Sequence, residues 1–363
     1  MKIRDELLRN IRQVEPYVPG EQPQEQVVKL NTNENPYPPS PEVKKALSSL
    51  DTDAFRLYPD PASSVLVKAL AEQYHVGEDQ VFVGVGSDDV LSLCFLTFFN
   101  SDKPVLFPDI TYSFYKVWAQ LYRIPYECPK LDEEFRIVKE DYYRENGGVI
   151  FPNPNAPTAI YEELDFIEDI LEHNRNSIVI VDEAYVDFAG RSAIELIGRY
   201  DNLIVTQTFS KARSMAGMRI GYAIANPELI RCLNDVKYSF NSYTMSRAAL
   251  VCGAAAVKDR AYFEENVRKI VKTREWAKEE LKSLGFILTD SKANFIFARH
   301  PKYDAEKLFE ELKAEHIYVR HWNDERIGQY LRITVGTEEE MNTLFSFLRK
   351  KTGKTNKKTG VSE

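Results

Sequence analysis

Short apolar runs alternate with longer amphipathic stretches along the first two thirds of the chain. The runs are rich in β-branched residues and predict strands: "VFVGV" (81–85), "PVLF" (104–107), "GVIF" (148–151), "SIVIVD" (177–182) and "LIVTQT" (203–208). Helical patterns such as Ser87–Phe99 and Tyr161–His173 lie between them. This alternation predicts βαβ units and a mainly parallel α/β sheet. Because the strands are apolar throughout, we expect helices on both faces of the sheet.

The pattern changes after residue 263. A long charged amphipathic helix, Glu264–Leu284, is followed by the strand "ANFIFAR", a helix over 304–315, the strands "IYVR" and "LRITVG", and a helix over 338–349. We expect a large domain over 41–263 and a smaller α+β domain formed by 1–40, which includes an N-terminal arm, and 264–363. The basic end "RKKTGKTNKKTG" lacks apolar residues, which predicts a frayed, solvated tail over about 352–363.

Charge and composition narrow the function classes. With 363 residues and 44% hydrophobic composition, the chain can bury a sizeable core. A formal charge of -8 argues against a general nucleic-acid binder and leaves room for a local basic pocket that binds a small anion. The four cysteines form no CxxC pair and have no partnering histidines, so neither a metal site nor a disulfide framework is indicated. No apolar run is long enough to span a bilayer and the start has no signal core, so we expect a cytoplasmic protein.

Polar residues follow several predicted strands, where parallel sheets bind ligands. The first strand passes through Gly84 and Gly86 into Ser87 and Asp88 at a helix start, where free N–H groups would bind an anion, although ordinary helix capping gives the same pattern. Asp182 ends another apolar strand, which suits a helix cap, an ion pair or a magnesium ligand. The Pro- and Asn-rich loop "FPNPNAPTAI" (151–160) taken alone indicates a turn.

The stretch "TFSKARSMAGMRIGY" adds a lysine, Lys211, directly after two hydroxyl residues, with Arg219 eight positions later. These segments together change the interpretation. A pyridoxal-phosphate enzyme requires a lysine for the cofactor aldehyde, an acid for the pyridine nitrogen, a phenol near the ring oxygen and a cup for the phosphate. All four residue types follow strands of one predicted sheet.

The chain resembles the fold type I pyridoxal-phosphate aminotransferases, and within them the histidinol-phosphate aminotransferases. "TFSKARSMAGMRIGY" and "VDEAYVDF" carry the wider resemblance, whereas "LNTNENP", "RLYPDP" and "YVRHW…LRITVGT" carry the narrower one. The resemblance covers nearly the whole chain. The resemblance implies a large domain with a mainly parallel sheet of the seven-stranded type flanked by helices, and a smaller α+β domain. It implies ping-pong transamination between glutamate and imidazole acetol phosphate, which gives 2-oxoglutarate and histidinol phosphate.

The resemblance also implies roles for single residues. Lys211 would carry the cofactor, pyridoxal 5'-phosphate, and move the proton, Asp182 would pair with the pyridine nitrogen, and Tyr185 would donate to the ring oxygen. Tyr112 would stack on the ring. The phosphate would be held by backbone groups of Ser87 and Asp88 together with Thr208, Ser210 and Arg219.

Further positions match the substrate site and the dimer of the family. Tyr17, Asn33, Arg320 and Arg332 would face the substrate, with both arginines and Tyr17 accepting its carboxylate or phosphate. Tyr58, in "RLYPDP", matches a tyrosine that reaches the cofactor phosphate of the other subunit. A homodimer is therefore implied.

Two positions depart from the family pattern. Where the family has an asparagine bonded to the ring oxygen, this chain has Ala156, with Asn155 one place earlier. Either the loop shifts to deliver Asn155 to the cofactor, or Tyr185 makes that contact alone. The glycine that ends the same loop is replaced by Ala159, which would be strained at a positive φ.

Three other functions stay open on the sequence. A threonine-phosphate decarboxylase of the same fold would share the cofactor set and the phosphate-binding arginines. An aromatic amino-acid aminotransferase is also compatible, since the chain has twenty tyrosines and twenty phenylalanines. A cofactor-binding protein without catalysis would have no use for Lys211 and Asp182 together, which argues against it.

Overall fold

The computed structural model describes residues 5–353, so most of the predicted basic tail lies outside the described residues. The helices in this range are α1 (Asp5–Leu8), α2 (Pro41–Ser48), α3 (Ser64–Tyr74), α4 (Ser87–Phe98), α5 (Phe114–Tyr122), α6 (Leu164–His173), α7 (Pro227–Phe240), α8 (Arg247–Lys258), α9 (Arg260–Leu284), α10 (Ala305–Ala314) and α11 (Glu338–Thr352). The strands are β1 (Val28–Lys29), β2 (Val81–Gly84), β3 (Val105–Leu106), β4 (Tyr126–Glu127), β5 (Gly148–Pro152), β6 (Val179–Asp182), β7 (Leu203–Thr208), β8 (Gly221–Ala225), β9 (Ile287–Leu288), β10 (Phe295–Arg299), β11 (Ile317–Tyr318) and β12 (Leu331–Thr334).

Seven strands form the main sheet, in the order β2-β8-β7-β6-β5-β3-β4. Strands β7, β6, β5, β3 and β4 are parallel, whereas β8 runs antiparallel to both of its neighbours. The prediction of a mainly parallel sheet flanked by helices is confirmed. Strands β4 and β8 were not predicted, although the β8 sequence "GYAIA" overlaps the end of the lysine stretch.

Side chains of the main sheet alternate between two cores. Val179 and Val181 of β6 pack into a core with α3, α6 and α8, whereas Ile180 between them packs into a core with α4, α5 and α7. Successive residues of a strand point to opposite faces, so an apolar run with both faces covered buries every side chain. The carboxyl ends of β5, β6 and β7 therefore present their polar residues at one edge, above the core.

A second set of elements surrounds a separate sheet of three antiparallel strands, in the order β12-β10-β9. Its core includes Ile270 of α9, Leu312 of α10 and Phe345 of α11. Strand β1 pairs in parallel with β11 in a two-stranded sheet, so the chain near residue 30 joins this region. Ala159 and Tyr185 pack into the same core, which therefore extends beneath the main sheet's carboxyl edge. The division at residue 263 stays a prediction.

One predicted helix begins later than its pattern indicated. The amphipathic pattern starts at Tyr161, whereas α6 begins at Leu164 with Glu163 as its N-cap. The side chain of Asn153 explains the difference, because it donates to the carbonyl of Glu162 and accepts from its N–H at 2.9 and 2.8 Å. These two bonds hold Glu162 to the preceding loop, outside the helix. Between residues 5 and 353 no helix is both long and apolar enough to cross a membrane.

Candidate active site

A cavity of about 380 Å³ opens at the carboxyl ends of β5, β6 and β7. Its lining includes Pro152, Asp182 and Thr208, the last residues of these three strands. Thirteen of the fifteen predicted site residues line it, and Asn155 and Tyr58 do not. We name its two sides by their residues. The sheet wall comprises Ser87, Asp88, Tyr112, Asp182, Tyr185, Thr208, Ser210, Lys211 and Arg219. The arginine wall comprises Tyr17, Asn31, Thr32, Asn33, Glu34, Arg320, Trp322 and Arg332.

Asp182 is a buried carboxylate at the end of β6. The hydroxyl of Tyr115 donates to its Oδ2 at 2.8 Å, and the N–H of Ala184 donates to its Oδ1 at 3.3 Å. Burial raises the pKa of Asp182 to about 6, against the lowering effect of these hydrogen bonds. Among the described residues no lysine, arginine or histidine forms an ion pair with it. A buried acid without a cation stabilises a positively charged ligand group next to it.

Lys211 and Tyr185 lie side by side in the same cavity. The Nζ of Lys211 is 5.7 Å from the centre of the Tyr185 ring and donates to the carbonyl of Thr32 at 3.2 Å. Tyr185 packs edge-on against Phe295, with the ring centres 5.0 Å apart. Its oxygen accepts a hydrogen bond from Nδ2 of Asn33 at 3.0 Å. The amine and the phenol therefore both contact the chain segment that includes Thr32 and Asn33.

The N-terminus of α4 and Arg219 form a cradle for an anion. Gly86 precedes the helix at φ 87°, a backbone conformation that favours glycine, and the space a Cβ would take is occupied by Nη2 of Arg219 at 2.4 Å. Thr208 donates to Ser210 at 3.1 Å on the other side of the cradle. The first N–H groups of a helix and a guanidinium both attract negative charge.

Asp88 has a role that the sequence did not indicate. We expected its backbone to bind phosphate, and its side chain also forms an ion pair with Arg219, with Oδ2 3.2 Å from Nη2. The hydroxyl of Tyr112 donates to the other carboxylate oxygen at 2.7 Å. Burial and this carboxylate raise the pKa of Tyr112 well above its usual value, so the phenol remains a donor.

The two predicted substrate arginines lie opposite each other on adjacent backbones. The N–H of each donates to the carbonyl of the other, at 3.0 and 2.9 Å. Both guanidinium groups approach the ring of Trp322, with the carbon of Arg320 at 5.6 Å and that of Arg332 at 5.3 Å from its centre. Trp322 lines the cavity and was not predicted, because one aromatic residue in "YVRHW" carries no distinguishing signal.

Arg332 is the more buried of the two arginines. Its Nη2 donates to the carbonyl of Asn31 at 2.9 Å, while its buried Nε has no acceptor among the described residues. Burial lowers the pKa of its guanidinium. Neither Arg332 nor Arg320 forms an ion pair with a carboxylate of residues 5–353. Two cations without counter-charges indicate that this wall receives an anionic group.

The loop after β5 answers the question raised by its departure from the family pattern. The amide of Asn155 donates to the carbonyl of Ile110 and to Thr158, both at 3.0 Å, and its oxygen accepts from Thr111 at 3.1 Å. Its amide is therefore engaged within the loops instead of facing the cavity, where Ala156 lies. Ala159 adopts φ 63°, the conformation that the sequence identified as strained for alanine.

Tyr58 lies on the surface, away from the cavity. Its side chain is 78% exposed and stacks on Tyr243, with ring centres 4.5 Å apart. Other large apolar side chains near it in sequence or next to Tyr243 are also exposed, and we call the set the aromatic surface cluster: Phe55, Leu57, Tyr58, Tyr238, Phe240 and Tyr243.

Two further residues of the site were missed on the sequence. Tyr115 is fully buried and binds Asp182, and its position three residues after Tyr112 at the start of α5 is the only signal that could have found it. Thr334, two residues after Arg332 on β12, binds Asn33. Its spacing places it on the same face of the strand as Arg332.

Comparison with known proteins gives a consistent result. Residues 25–348 match the family described as aminotransferase class I and II. A histidinol-phosphate aminotransferase of Lactococcus lactis subsp. cremoris (strain MG1363) is 52% identical, covering 94% of this chain and 96% of that protein. One from Clostridium botulinum (strain Langeland) is 50% identical, covering 93% and 96%. The crystal structure of histidinol-phosphate aminotransferase from Sinorhizobium meliloti, in complex with pyridoxal-5'-phosphate, has a TM-score of 0.82 at 23% identity, covering 89% and 90%.

Proposed function

This chain belongs to the class I and II aminotransferase family, and from that premise we propose that it is a pyridoxal-phosphate-dependent transaminase of histidine biosynthesis. It transfers the amino group between glutamate and imidazole acetol phosphate, giving 2-oxoglutarate and histidinol phosphate. One observation carries the proposal. Lys211, Asp182 and Arg219 on the sheet wall line the same cavity as Arg320 and Arg332 on the arginine wall.

The sheet wall fits the cofactor at both of its charged ends. Asp182 is buried without a cationic partner, and a protonated pyridine nitrogen supplies that charge. The cradle of Gly86, Ser87 and Arg219 has the donors that a phosphate group requires. Binding the phosphate there requires Arg219 to share its guanidinium between the ligand and Asp88.

When bound, pyridoxal phosphate supplies the aldehyde that exchanges for the amine and the electron sink for the bond that is broken. Asp182 holds the proton on the pyridine nitrogen, which keeps the ring electron-poor. At about 4 Å and an effective dielectric of about 20, this pair has a gross Coulomb energy of about 4 kcal/mol. Tyr185 would donate a hydrogen bond from its hydroxyl to the ring oxygen. Its contact is made without the family asparagine, since Ala156 occupies that position.

Lys211 has two successive tasks. Its Nζ would hold the cofactor covalently and, once a substrate amine has taken its place, would accept the proton that leaves the substrate carbon. Its present hydrogen bond to the carbonyl of Thr32 keeps the amine at the boundary of the two walls.

The arginine wall accounts for a substrate pair of unequal shape. Glutamate presents a second carboxylate and histidinol phosphate presents a phosphate, and a guanidinium binds either through two parallel hydrogen bonds. The unpaired Nε of Arg332 is available for such a bond. Trp322 and Tyr17 offer aromatic surface beside the charges, which suits the imidazole ring.

A donor panel tests the proposal. Histidinol phosphate, histidinol, phenylalanine and threonine phosphate are compared with 2-oxoglutarate as acceptor, and carbon dioxide release is measured in parallel. We expect the specificity constant for histidinol phosphate to exceed that for histidinol by about a hundredfold, the value of one strong charge-assisted contact. Equal values would favour a general aromatic aminotransferase. Carbon dioxide from threonine phosphate would favour a decarboxylase.

We also propose that the active form is a homodimer in which Tyr58 reaches the cofactor phosphate of the other subunit. The aromatic surface cluster supports this, because large apolar side chains exposed together mark interaction surfaces. Mixing a Lys211→Ala subunit with a Tyr58→Ala subunit should restore part of the activity that each lacks alone. A fully active monomer in sedimentation would exclude the arrangement. A cytoplasmic location remains a prediction from the sequence.

A further inference from the structure

We propose that Thr334 is a positioning residue that, through Asn33, aims the hydroxyl proton of Tyr185 at the cofactor's ring oxygen. The inference rests on the proposed function, because it assigns that oxygen as the acceptor. It concerns a chain of three buried side chains that joins strand β12 to the sheet wall. The order is Thr334, Asn33, Tyr185, and each link is a hydrogen bond of ordinary length.

Thr334 holds Asn33 at two points. Its Oγ1 accepts from the backbone N–H of Asn33 at 3.0 Å and donates to Oδ1 of the same residue at 3.1 Å. Asn294 holds a third point, since its amide donates to the carbonyl of Asn33 at 3.0 Å. These bonds fix Asn33 in a left-handed conformation, φ 55°, which asparagine adopts more readily than most residues.

The single hydroxyl proton of Thr334 decides which way the Asn33 amide points. A carboxamide has one acceptor oxygen and one donor nitrogen. With Oδ1 toward Thr334, the threonine proton has its acceptor and Nδ2 faces Tyr185. The reversed amide would place two donor groups at Thr334 and leave its buried proton without an acceptor. That arrangement costs the desolvation of a polar group.

The amide orientation in turn fixes the role of Tyr185. Nδ2 can only donate, so the phenol oxygen accepts from Asn33 and its own proton must point elsewhere. The free direction is the cavity that Tyr185 lines. With the amide reversed, Oδ1 would compete for this proton and draw it away from the cofactor. The orientation of the Tyr185 proton matters more in this protein, because Asn155 is hydrogen-bonded elsewhere and the Ala156 side chain has no donor.

The test is a pH titration of the visible absorbance of the cofactor-bound protein, which requires no knowledge of the substrate. A hydrogen bond to the charged ring oxygen stabilises the deprotonated form of the chromophore and lowers the pH midpoint of its colour change. Thr334→Val keeps the shape of the side chain and removes its hydroxyl. We expect the midpoint to rise by about one pH unit, a tenfold change in the proton affinity. Thr334→Ser should restore the wild-type midpoint.

A double-variant comparison distinguishes an effect through the hydrogen-bond chain from a general structural disturbance of the site. Tyr185→Phe should raise the pH midpoint at least as much. Adding Thr334→Val to Tyr185→Phe should cause no further shift, because Thr334 acts only through Tyr185. Thr97→Val is the matched control, since the buried hydroxyl of Thr97 has no partner among the described residues, and its midpoint should be unchanged.

Three results would overturn the inference. They are an unshifted midpoint in cofactor-loaded Thr334→Val, a shift that persists in the Tyr185→Phe background, and a Thr334→Ser variant that behaves like Thr334→Val. If Thr334→Val fails to fold, the pH midpoints of Thr334→Ser and Asn33→Ala decide whether the inference holds. Wild-type protein that takes up no cofactor would overturn the proposed function as well. Cofactor uptake with failure only in the donor panel would affect the substrate assignment alone.

Discussion

The sheet wall and the arginine wall of the cavity are held by different kinds of structure. The sheet wall is formed by residues at the ends of β6 and β7 and in the segments that follow β2 and β3, all strands of a seven-stranded sheet with a core on each face. In the arginine wall, Arg332 lies on β12, an edge strand of the three-stranded sheet. Arg320 and residues 31–34 are instead held by a two-residue pairing of β1 with β11, a single bridge between Arg320 and Arg332, and side-chain hydrogen bonds. A sheet with a core on each face supports the first wall, whereas short pairings and a few hydrogen bonds align most of the second.

The two walls also differ in their charged groups. The sheet wall contains a buried acid without a cation and an arginine already paired with Asp88, which suits a ligand with a positive ring and a negative tail. The arginine wall contains two arginines that form no ion pair with a carboxylate among the described residues, and its one acid, Glu34, is paired with Lys29. We infer that changes in the sheet wall affect every substrate, while changes in the arginine wall affect only substrates that bear an anion.

Loss of Lys211 should have the largest effect. Lys211→Ala removes both the attachment point and the proton carrier, and we expect the turnover rate to fall by at least about 10⁴-fold with every donor. Lys211→Arg, which keeps the charge, should be equally inactive. Borohydride reduction of the wild type followed by peptide mapping should find the cofactor on Lys211. An adduct on another lysine would contradict the assignment.

Replacement of Asp182 should have the second largest effect on the turnover rate. Asp182→Asn removes about 4 kcal/mol of gross Coulomb stabilisation of the protonated ring, so we expect a loss in turnover rate of about 10³-fold with every donor. Asp187→Asn is the control, because its carboxyl has a pKa also raised to about 6 by burial but does not line the cavity. Loss of activity in the control alone would contradict the role of Asp182.

The same variant gives a pH signature in the cofactor-free protein. The pKa of Asp182 is raised from 3.8 to about 6 on folding, so the folded state binds the proton more tightly than the unfolded state. Its contribution to stability is therefore complete below about pH 4 and is lost as the pH rises toward 6. We expect Asp182→Asn to unfold at a higher temperature relative to wild type at pH 7 than at pH 4.5. An equal difference at both pH values would show that Asp182 is not buried as a carboxylate.

Changes in the arginine wall should be smaller and selective. Arg332→Gln or Arg320→Gln should each lower the specificity constant for histidinol phosphate by about ten- to a hundredfold, the value of about 1.5–3 kcal/mol. The specificity constant for histidinol, which has no anionic group, should fall little, and the visible spectrum of the cofactor should not change. Arg332→Lys keeps the charge but not the paired donors, and should recover only part of the loss. An equal loss with histidinol would mean that the walls do not act separately.

The smallest effect is expected in the loop after β5. The carbonyl of Ala159 accepts from the N–H of Lys292, so this loop connects the main sheet with the region of the small sheet. Ala159→Gly relieves the positive φ at some cost in chain entropy, and we expect a net gain of about 0.5–1 kcal/mol, seen as a rise in the unfolding temperature. Ala156→Gly, in the same loop but without a positive φ, should be destabilising. A lower unfolding temperature for both would show that Ala159 is not strained.

Local patterns were sufficient for five of the seven strands of the main sheet. Each of its five predicted strands is present, because an apolar run buried on both faces allows few other structures. The antiparallel β8 was missed, since strand direction is set by how the chain returns to the sheet and not by the composition of the strand. The start of α6 was misplaced because Asn153, outside the helix, holds Glu162.

The sequence by itself determined five strands of the main sheet and the motif around Lys211, because these depend on short runs whose chemistry is local, and the family resemblance of its motifs identified thirteen residues that line the cavity. Only the tertiary structure showed that the amide of Asn155 is engaged elsewhere, that Asp88 pairs with Arg219, and that Tyr115 binds Asp182. It also joined Thr334 to Asn33 across 301 positions of sequence. A hydrogen bond depends on distance and direction between two groups, and the fold alone brings such distant groups into contact.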